Sequence, residues 1–220
     1  ELSKKKKDVV LIEEGNHYPI NFFKGSIAKS FQNAWRYSGV TPIIGKPSFG
    51  FGEGMCLGGG TYVNGGLIWR TPDIILDEWE KKLNTDIYNK SNLNPFFSKI
   101  EEKLNVKLEK DENNYNKDSE LLNNLAKKNN IKCVTVPRAV INCKRHNKCT
   151  TGCVSEAKQS TLQSYIYPAA NSGLRILTKA RAEKIILQNK NPYKLKVKIN
   201  NKNIYIKFNK IILACGPIQT

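Results

Sequence analysis

Short apolar runs separated by glycine-rich and polar stretches dominate the hydrophobic pattern of the chain. Residues 8–15 form a run that ends in two acids and a glycine, which is typical of a buried parallel strand with carboxylates at its carboxyl end. Residues 210–216 form a second apolar run, which stops at a glycine. We expect these two distant segments to be buried strands of one sheet.

Helical spacing of apolar residues occurs between these two runs. The predicted helices are 26–35 (which could also be irregular), 73–83, 95–104, 118–128 and 155–170. Trp79 is expected on the apolar face of its helix, and Leu162, Tyr165 and Ile166 are expected to face inward. Residues 111–116 are polar and are predicted to form an exposed loop.

Shorter apolar bursts indicate further strands. These are residues 133–136, 175–177, 182–187, 194–199 and 203–208. The last three form a small antiparallel set, with a turn near Asn201. The fold class that follows is α/β, an interrupted, Rossmann-like nucleotide-binding domain with a small antiparallel β insert and helical segments.

Glycines are concentrated between residues 45 and 66, a segment predicted to be loop-like. Consecutive glycines at 58–60 let the backbone approach a planar or anionic ligand closely. Thr61 and Asn64 add directed polar groups. Because apolar residues such as Tyr62 and Val63 are interleaved with the glycines, the segment indicates a ligand contact rather than a flexible linker.

Glu13 lies at the end of the first predicted strand. In a dinucleotide-binding fold a carboxylate at this position accepts hydrogen bonds from an adenosine ribose, although a solvated acid at a strand end is the simpler alternative. The G-x-G-x-x-G turn expected upstream of such an acid is absent from the sequence. We therefore expect the chain to begin after that turn.

A formal net charge of +17 favours anionic partners at first sight. Lys greatly outnumbers Arg, however, and the lysines are scattered, whereas base readout and bidentate phosphate contacts favour Arg. No nucleic-acid partner is predicted. No apolar run approaches the roughly 20 residues of a membrane-spanning helix, so no transmembrane segment is predicted either.

Three cysteines are clustered around a histidine, at Cys143, His146, Cys149 and Cys153. Four such ligands could hold zinc, and the three thiolates could instead hold an iron–sulfur cluster. The same residues could equally remain free thiols or form one disulfide. The sequence leaves all three alternatives open.

Residues 54–70 closely resemble the first signature of the glucose–methanol–choline (GMC) oxidoreductase family. Other segments resemble that family in the same order along the chain, namely residues 10–15, 79–80, 94–101, 152–153, 157–161, 165–169 and 211–220. Met55 and Gly60 depart from the family pattern, where a polar residue and a Ser are more usual. The resemblance identifies residues 1–220 as a partial FAD-binding domain, without the first fingerprint and the C-terminal substrate domain.

The resemblance implies non-covalent FAD and oxidation of an alcohol, sugar or sugar acid by hydride transfer to the flavin. It implies that Glu13 holds the adenosine ribose. The remaining cofactor contacts that it implies are Gly58, Gly59, Gly60, Thr61 and Asn64 along the pyrophosphate and isoalloxazine, Ala182 near the adenine, and Ala214 and Gly216 near the ribityl chain and phosphates.

Neither His17 nor His146 matches the catalytic histidine of the family, so the sequence assigns no catalytic residue and we expect that histidine outside this chain. Some sugar-acid dehydrogenases of the family have similar cysteines, which hold a three-iron cluster that passes electrons to a cytochrome. The resemblance thus leaves oxygen, a cytochrome or another acceptor as the partner of the alcohol-type substrate. A basic Cys/His module that binds metal or nucleic acid is the non-enzymatic alternative.

Overall fold

The computed structural model of the chain describes residues 1–19, 21–108 and 116–220. It combines helices with strands, as the hydrophobic pattern predicts. The predicted loop at 111–116 lies outside the described residues except for Asn116.

Six α-helices alternate with nine short strands in the described ranges. The helices are α1 (Ile27–Ala34), α2 (Gly59–Val63), α3 (Asp73–Leu83), α4 (Lys90–Lys103), α5 (Lys117–Lys128) and α6 (Tyr167–Ala170), the last preceded by a π-helical turn (Leu162–Ile166). The strands are β1 (Val10–Ile12), β2 (Thr41–Ile43), β3 (Phe49–Phe51), β4 (Val106–Lys107), β5 (Arg138–Ala139), β6 (Arg175–Leu177), β7 (Ala180–Gln188), β8 (Asn191–Ile199) and β9 (Lys202–Lys207).

Strands β1 and β6 pair in parallel, with Leu11 opposite Ile176. The strands predicted within residues 8–15 and at 175–177 are thereby confirmed. Beyond the last paired residue, the backbone N–H of Ala180 donates to the carbonyl of Glu13 at 2.9 Å. The start of β7 therefore lies against the carboxyl end of β1.

The antiparallel insert is confirmed as a three-stranded sheet in the order β7–β8–β9. Alternate residues of β8 point inward, and Leu195 and Val197 are buried with Ala180. Ile12 and Leu177 pack against this cluster. The predicted turn between β8 and β9 is also present: Asn200 and Asn201 there have φ of 47° and 62°, a region that Asn tolerates better than most residues.

A second core packs the glycine-rich segment against the π-helical turn. It consists of Tyr18, Phe23, Ala34, Cys56, Leu57, Tyr62, Val63, Leu162 and Ile166. The apolar residues that are interleaved with the glycines are part of this core, and they hold the glycine-rich segment in the protein interior.

The predicted helix at 155–170 starts later than its periodicity suggests. Residues 157–159 instead bond to the segment around β5, with Ile141 N–H donating to Ala157 O and Gln159 N–H to Ala139 O. Helix begins only at Leu162, and Tyr165 is exposed, so its predicted inward orientation is wrong. Trp79 is likewise largely exposed at the edge of Tyr88.

The predicted buried strand at 210–216 is wrong in this structure. No strand forms there, and residues 212–220 are exposed. A strand needs a partner for its backbone hydrogen bonds, and none of the described strands pairs with these residues. Residues 133–136 also form no strand, and the predicted loop at 45–66 contains both β3 and α2.

Across the described ranges, no helix is both long enough and apolar enough to cross a membrane.

Candidate functional site

Glu13 projects from the carboxyl end of β1 and turns back toward its own chain. Its Oε1 accepts a hydrogen bond from the N–H of Gly15 at 2.7 Å. Burial raises the pKa of the Glu13 carboxyl above its usual value, and the Gly15 bond opposes that rise. A partly buried carboxyl group thus lies at the position that the sequence predicts for a ribose-binding acid.

Two glycines bring the glycine-rich segment against this strand end. A Cβ on Gly15 would lie 2.2 Å from the carbonyl oxygen of Met55, and one on Gly54 would lie 2.7 Å from the carbonyl oxygen of Gly59. Because these contacts are to backbone atoms, a side chain at either position would force the neighbouring backbone to shift. The end of β1, residues 54–56 and the first turn of α2 are therefore in direct contact.

Gly58 is the N-cap residue that precedes α2, and it packs against the π-helical turn. Its φ is +96°, and a Cβ there would lie 3.1 Å from the Cβ of Leu162. Its carbonyl accepts from the hydroxyls of Thr61 at 2.6 Å and Thr161 at 3.1 Å. In this structure Gly58 is a packing and turn residue.

Gly59 and Gly60 differ from Gly58 in having open space in front of them. No heavy atom that could hinder a side chain lies within 4 Å of a Cβ built on either residue. The bare backbone of these two residues forms an uncovered face at the start of α2. Such a face can receive a large planar or anionic group.

Thr61 and Asn64 border this face in different ways. The Thr61 hydroxyl donates to Gly58 O, accepts from Thr161 N–H at 3.0 Å and lies 2.9 Å from the Thr161 hydroxyl. Its hydrogen-bonding capacity is thereby engaged within the protein. Asn64 is exposed, and its Oδ1 accepts from Gly66 N–H at 3.0 Å.

The remaining sequence-predicted residues lie further along the chain. Ala182 is exposed on β7, two residues beyond the Ala180 N–H that bonds to Glu13. Gly216 has φ +88°, and a Cβ there would lie 3.3 Å from Glu53 Oε1. Ala214 is exposed in the same terminal segment. Backbone packing at Gly15 and Gly54 joins the strand end that bears Glu13 to the segment of Gly59, and β7, which carries Ala182, begins with the Ala180 N–H bond to Glu13.

An ion-pair network next to the site was not anticipated from the sequence. Arg36 donates to Glu53 at 2.7 Å and to Glu14 at 2.8 Å, and Gln219 donates to Glu53 at 3.1 Å. The Arg36 side chain is only 11% exposed, so both carboxylates are needed to offset its burial. This network fixes Glu14 on the side of the strand end opposite the Glu13 bond.

Lys158 is the second unanticipated residue. It is 2% exposed, and its Nζ donates to the carbonyls of Tyr62, Asn64 and Cys149 at 2.6, 2.7 and 2.8 Å. Burial lowers the pKa of the Lys158 ammonium to about 8. A lone Lys among polar residues carries no sequence signal for such burial, because the carbonyls that surround it come from distant segments.

The clustered cysteines do not form a metal-ligand set in the described part of the chain. Their sulfurs face separate donors: Cys143 accepts from Arg145 N–H, Cys149 from the Arg138 guanidinium and Cys153 from Lys158 N–H. Burial alone would raise the pKa of Cys153, but its backbone hydrogen bonds outweigh burial and lower it. This geometry supports neither the zinc nor the iron–sulfur alternative.

The two histidines also lie apart from each other. His17 Nε2 lies 3.0 Å from the hydroxyl of Tyr167, and His146 is exposed in the cysteine loop, residues 143–153. Neither is part of a group with the glycine face.

Comparisons with known proteins point to one family. A family model described as GMC oxidoreductase matches residues 31–220. An uncharacterized GMC-type oxidoreductase of Sinorhizobium fredii is 28% identical over 82% of this chain and 35% of its own length. A long-chain-alcohol oxidase of Arabidopsis thaliana is 24% identical over 100% of this chain and 30% of its own length.

A solved structure agrees with these sequence matches. Pyridoxine 4-oxidase from Mesorbium loti superimposes with a TM-score of 0.72 at 11% identity, over 96% of this chain and 45% of that chain, which shows a shared fold. The chain thus spans about a third of the length of the curated relatives named above. Since the family model covers most of its residues and the relatives carry the same family name, the chain belongs to the GMC oxidoreductase family.

Proposed function

We propose that this chain is the cofactor-holding portion of an FAD-dependent oxidoreductase that oxidises CH–OH groups of alcohol-type small molecules. One observation carries the proposal: Glu13 lies at the carboxyl end of a parallel strand, and close backbone packing at Gly15 and Gly54 joins that strand end to the segment that bears the open Gly59–Gly60 backbone. In nucleotide-binding α/β folds, that edge of the sheet is where ligands bind.

The residues present fit FAD. Glu13 has one carboxylate oxygen bonded to Gly15 and can accept ribose hydroxyls with the other. Gly59 and Gly60 leave room for a planar ring or a pyrophosphate, which any Cβ there would occupy. Bound FAD would supply the acceptor for the hydride of the alcohol.

The other predicted residues serve this site in distinct ways. Thr61 fixes the first turn of α2 through Gly58 and Thr161, and so orients the glycine backbone. Asn64 is exposed at the end of α2, and its amide nitrogen is a donor that we assign to the cofactor, as the family resemblance implies. Ala182 and Gly216 extend the site along β7 and the terminal segment, as the family resemblance implies.

The names of the relatives narrow the substrate class. Long-chain-alcohol oxidases and a pyridoxine 4-oxidase both act on a CH–OH group by name, and both names state oxidase activity. We therefore place this protein on the oxidase side, with molecular oxygen as the electron acceptor. No described residue supports the basic metal- or nucleic-acid-binding alternative over this assignment.

The test uses the full-length protein. It should purify with flavin, released as FAD on heat denaturation, and a long-chain or aromatic primary alcohol should bleach the flavin absorbance without oxygen. Admission of air should restore the absorbance and release hydrogen peroxide. Protein that neither retains nor binds added FAD contradicts the proposal, and bleaching that air does not reverse contradicts the oxidase assignment.

A further inference from the structure

Lys158 joins three segments that surround the end of α2. Its ammonium group bonds to Tyr62 and Asn64 carbonyls at that helix end and to the Cys149 carbonyl in the cysteine loop. An ammonium group has three N–H donors and no acceptor, so these three carbonyls match its full donor count. The side chain is 2% exposed, so no water replaces a lost partner at low cost.

The placement of this cation is electrostatically favourable for a helix end. Carbonyls at a helix C-terminus lack intrahelical partners and carry partial negative charge, which a cation stabilises. Lys158 meets this requirement for α2, the helix whose first turn presents Gly59 and Gly60. The stem of Lys158 also packs within 3.2 Å of the position of a Cβ on Gly66, which holds the segment after the helix.

Asn64 connects Lys158 to the proposed FAD site. Its carbonyl is held by Lys158, and its Oδ1 caps the N–H of Gly66. The orientation of its exposed amide nitrogen is therefore set by the buried cation on one side and the glycine turn on the other. A change at Lys158 would move Asn64 without touching the bound molecule directly.

We propose that Lys158 is a positioning residue for FAD, which orients Asn64 and the end of α2 by holding three backbone carbonyls with one ammonium group. This inference rests on the proposed function. It assigns the residue no direct contact with the cofactor. Its charge is needed because a neutral amine has two hydrogens and must release one carbonyl.

Four other ionisable groups face this site. Cys149, Cys153 and Cys56 favour the charged ammonium only where they carry a negative charge, and the positive charge of Arg138 disfavours it. Arg138 also donates to Cys149 Sγ at 3.3 Å. Burial raises the pKa of Cys56 to about 12, so this thiol stays neutral in the neutral to mildly alkaline range.

The first experiment replaces Lys158 in the full-length protein. Lys158→Met keeps the length of the side chain and removes its donors, Lys158→Gln restores two N–H donors, and Lys144→Met is the control because it removes one exposed lysine from the same loop. We expect FAD affinity, measured on the folded fraction, to fall at least tenfold in Lys158→Met and by less in Lys158→Gln. Lys144→Met should stay within twofold of the parent.

Hydrogen exchange gives a second readout that is independent of activity. In cofactor-free protein, amides of residues 64–66 should exchange faster in Lys158→Met, while those of β7–β9 should not change. A folded Lys158→Met variant with the parent's FAD affinity and the parent's exchange at 64–66 would overturn the proposal. Absence of FAD binding by the parent protein would instead defeat the proposed function itself.

A pH titration of the parent protein covers the case in which Lys158→Met does not fold. With a pKa of about 8, loss of the Lys158 proton should weaken FAD binding about tenfold between pH 7 and pH 9. The unfolded chain binds this proton more tightly than the folded protein does. The contribution of Lys158 to the free energy of unfolding therefore rises between pH 7 and pH 9. Weaker FAD binding over this range thus cannot result from unfolding driven by Lys158.

The thiols near Lys158 are the competing source of such a pH dependence. A Cys149→Ser/Cys153→Ser double variant should still lose FAD affinity at least tenfold over this range, because removal of groups that favour the ammonium cannot raise the pKa of Lys158. A pH dependence that is absent in the parent, or that disappears in the double variant, would overturn the role of Lys158.

Discussion

Two adjacent acids at the end of β1 have separate physical roles. Glu13 is partly buried and bonds to the N–H of Gly15, whereas Glu14 forms an ion pair with Arg36 and lies 3.6 Å from Arg181. Successive residues of a strand point to opposite faces, and this alternation separates the two carboxylates. At the scale of single residues, Glu14 is engaged by an arginine, and Glu13 is the acid that we propose to meet the ligand.

Replacement of Glu13 tests this assignment. Because burial raises its pKa, the native state holds the proton more tightly, and this contribution to stability is lost as pH rises through the native pKa. Glu13→Gln should therefore not lower, and should slightly raise, the free energy of unfolding of the cofactor-free protein at pH 7. FAD affinity should fall about tenfold, because neutral hydrogen bonds replace charge-assisted ones.

Glu14→Gln provides the matched control. It should lower stability by about 1–3 kcal/mol through the loss of its charge-assisted bond to Arg36, and leave FAD affinity within twofold. Calorimetry with FAD and urea unfolding measure the two effects. Weak FAD binding in Glu14→Gln with normal binding in Glu13→Gln would mean that Glu14, and not Glu13, binds the ribose.

Gly60 allows the open face to be tested without damage to the fold. Its φ is not in the positive range, a Cβ meets no hindering atom within 4 Å, and Leu has the better helix propensity. Gly60→Leu should keep or raise the stability of the cofactor-free protein by about 0.5–1 kcal/mol and abolish flavin retention. Gly50→Leu, at an equally open position on β3, should retain FAD, as flavin absorbance per protein shows. Stoichiometric FAD in Gly60→Leu would mean that no ligand occupies this face.

At the scale of elements, the site depends on close backbone packing between β1, residues 54–56 and α2. Gly54→Ala would place a Cβ within 2.7 Å of Gly59 backbone atoms, which cannot rotate away as a side chain can. We expect a loss of about 1–3 kcal/mol in the free energy of unfolding, together with weaker FAD binding. Gly45→Ala, where the nearest atom is 3.6 Å away, should change neither. Equal stability of both variants in urea titrations would contradict this packing.

Elements also show where hydrophobic periodicity succeeds and fails. The strands of the antiparallel insert and helices α1, α3 and α5 match their predicted positions within a few residues, because local alternation and capping residues such as Ser26 define them. Residues 155–160 have helical spacing but pair with the segment around β5. These residues form no helix because they hydrogen-bond to a segment that is distant in the sequence, and the local hydrophobic pattern carries no information about that segment.

At the scale of the whole molecule, the described fold leaves much surface uncovered. The accessible area is 15852 Å² for 24.9 kDa, against roughly 10,000 Å² for a compact protein of this mass. Apolar side chains of α3, α4 and α5 contribute to the excess, including Ile74, Leu83, Phe96, Ile100, Leu121, Leu122 and Leu125. Exposed apolar area of this extent favours association with other protein surface.

The isolated 220-residue chain should therefore behave differently from the full-length protein. We expect it to aggregate at concentrations where the full-length protein stays monodisperse, and to bind FAD more weakly than roughly micromolar. Light scattering and quenching of flavin fluorescence measure the two properties. Micromolar or tighter binding by the monomeric isolated chain would show that these residues alone complete the site.

The sequence by itself determined the strand–acid motif at residues 10–13, the antiparallel insert and the glycines that mark the site, because each follows from local spacing or backbone freedom. Tertiary structure alone decided which glycines face open space, since that depends on neighbours such as Leu162 and Met55 from elsewhere in the chain. It also decided that the clustered cysteine sulfurs face different donors and that Lys158 is buried among three distant carbonyls. Proximity in sequence does not specify side-chain direction, and burial depends on contacts between segments far apart in the chain.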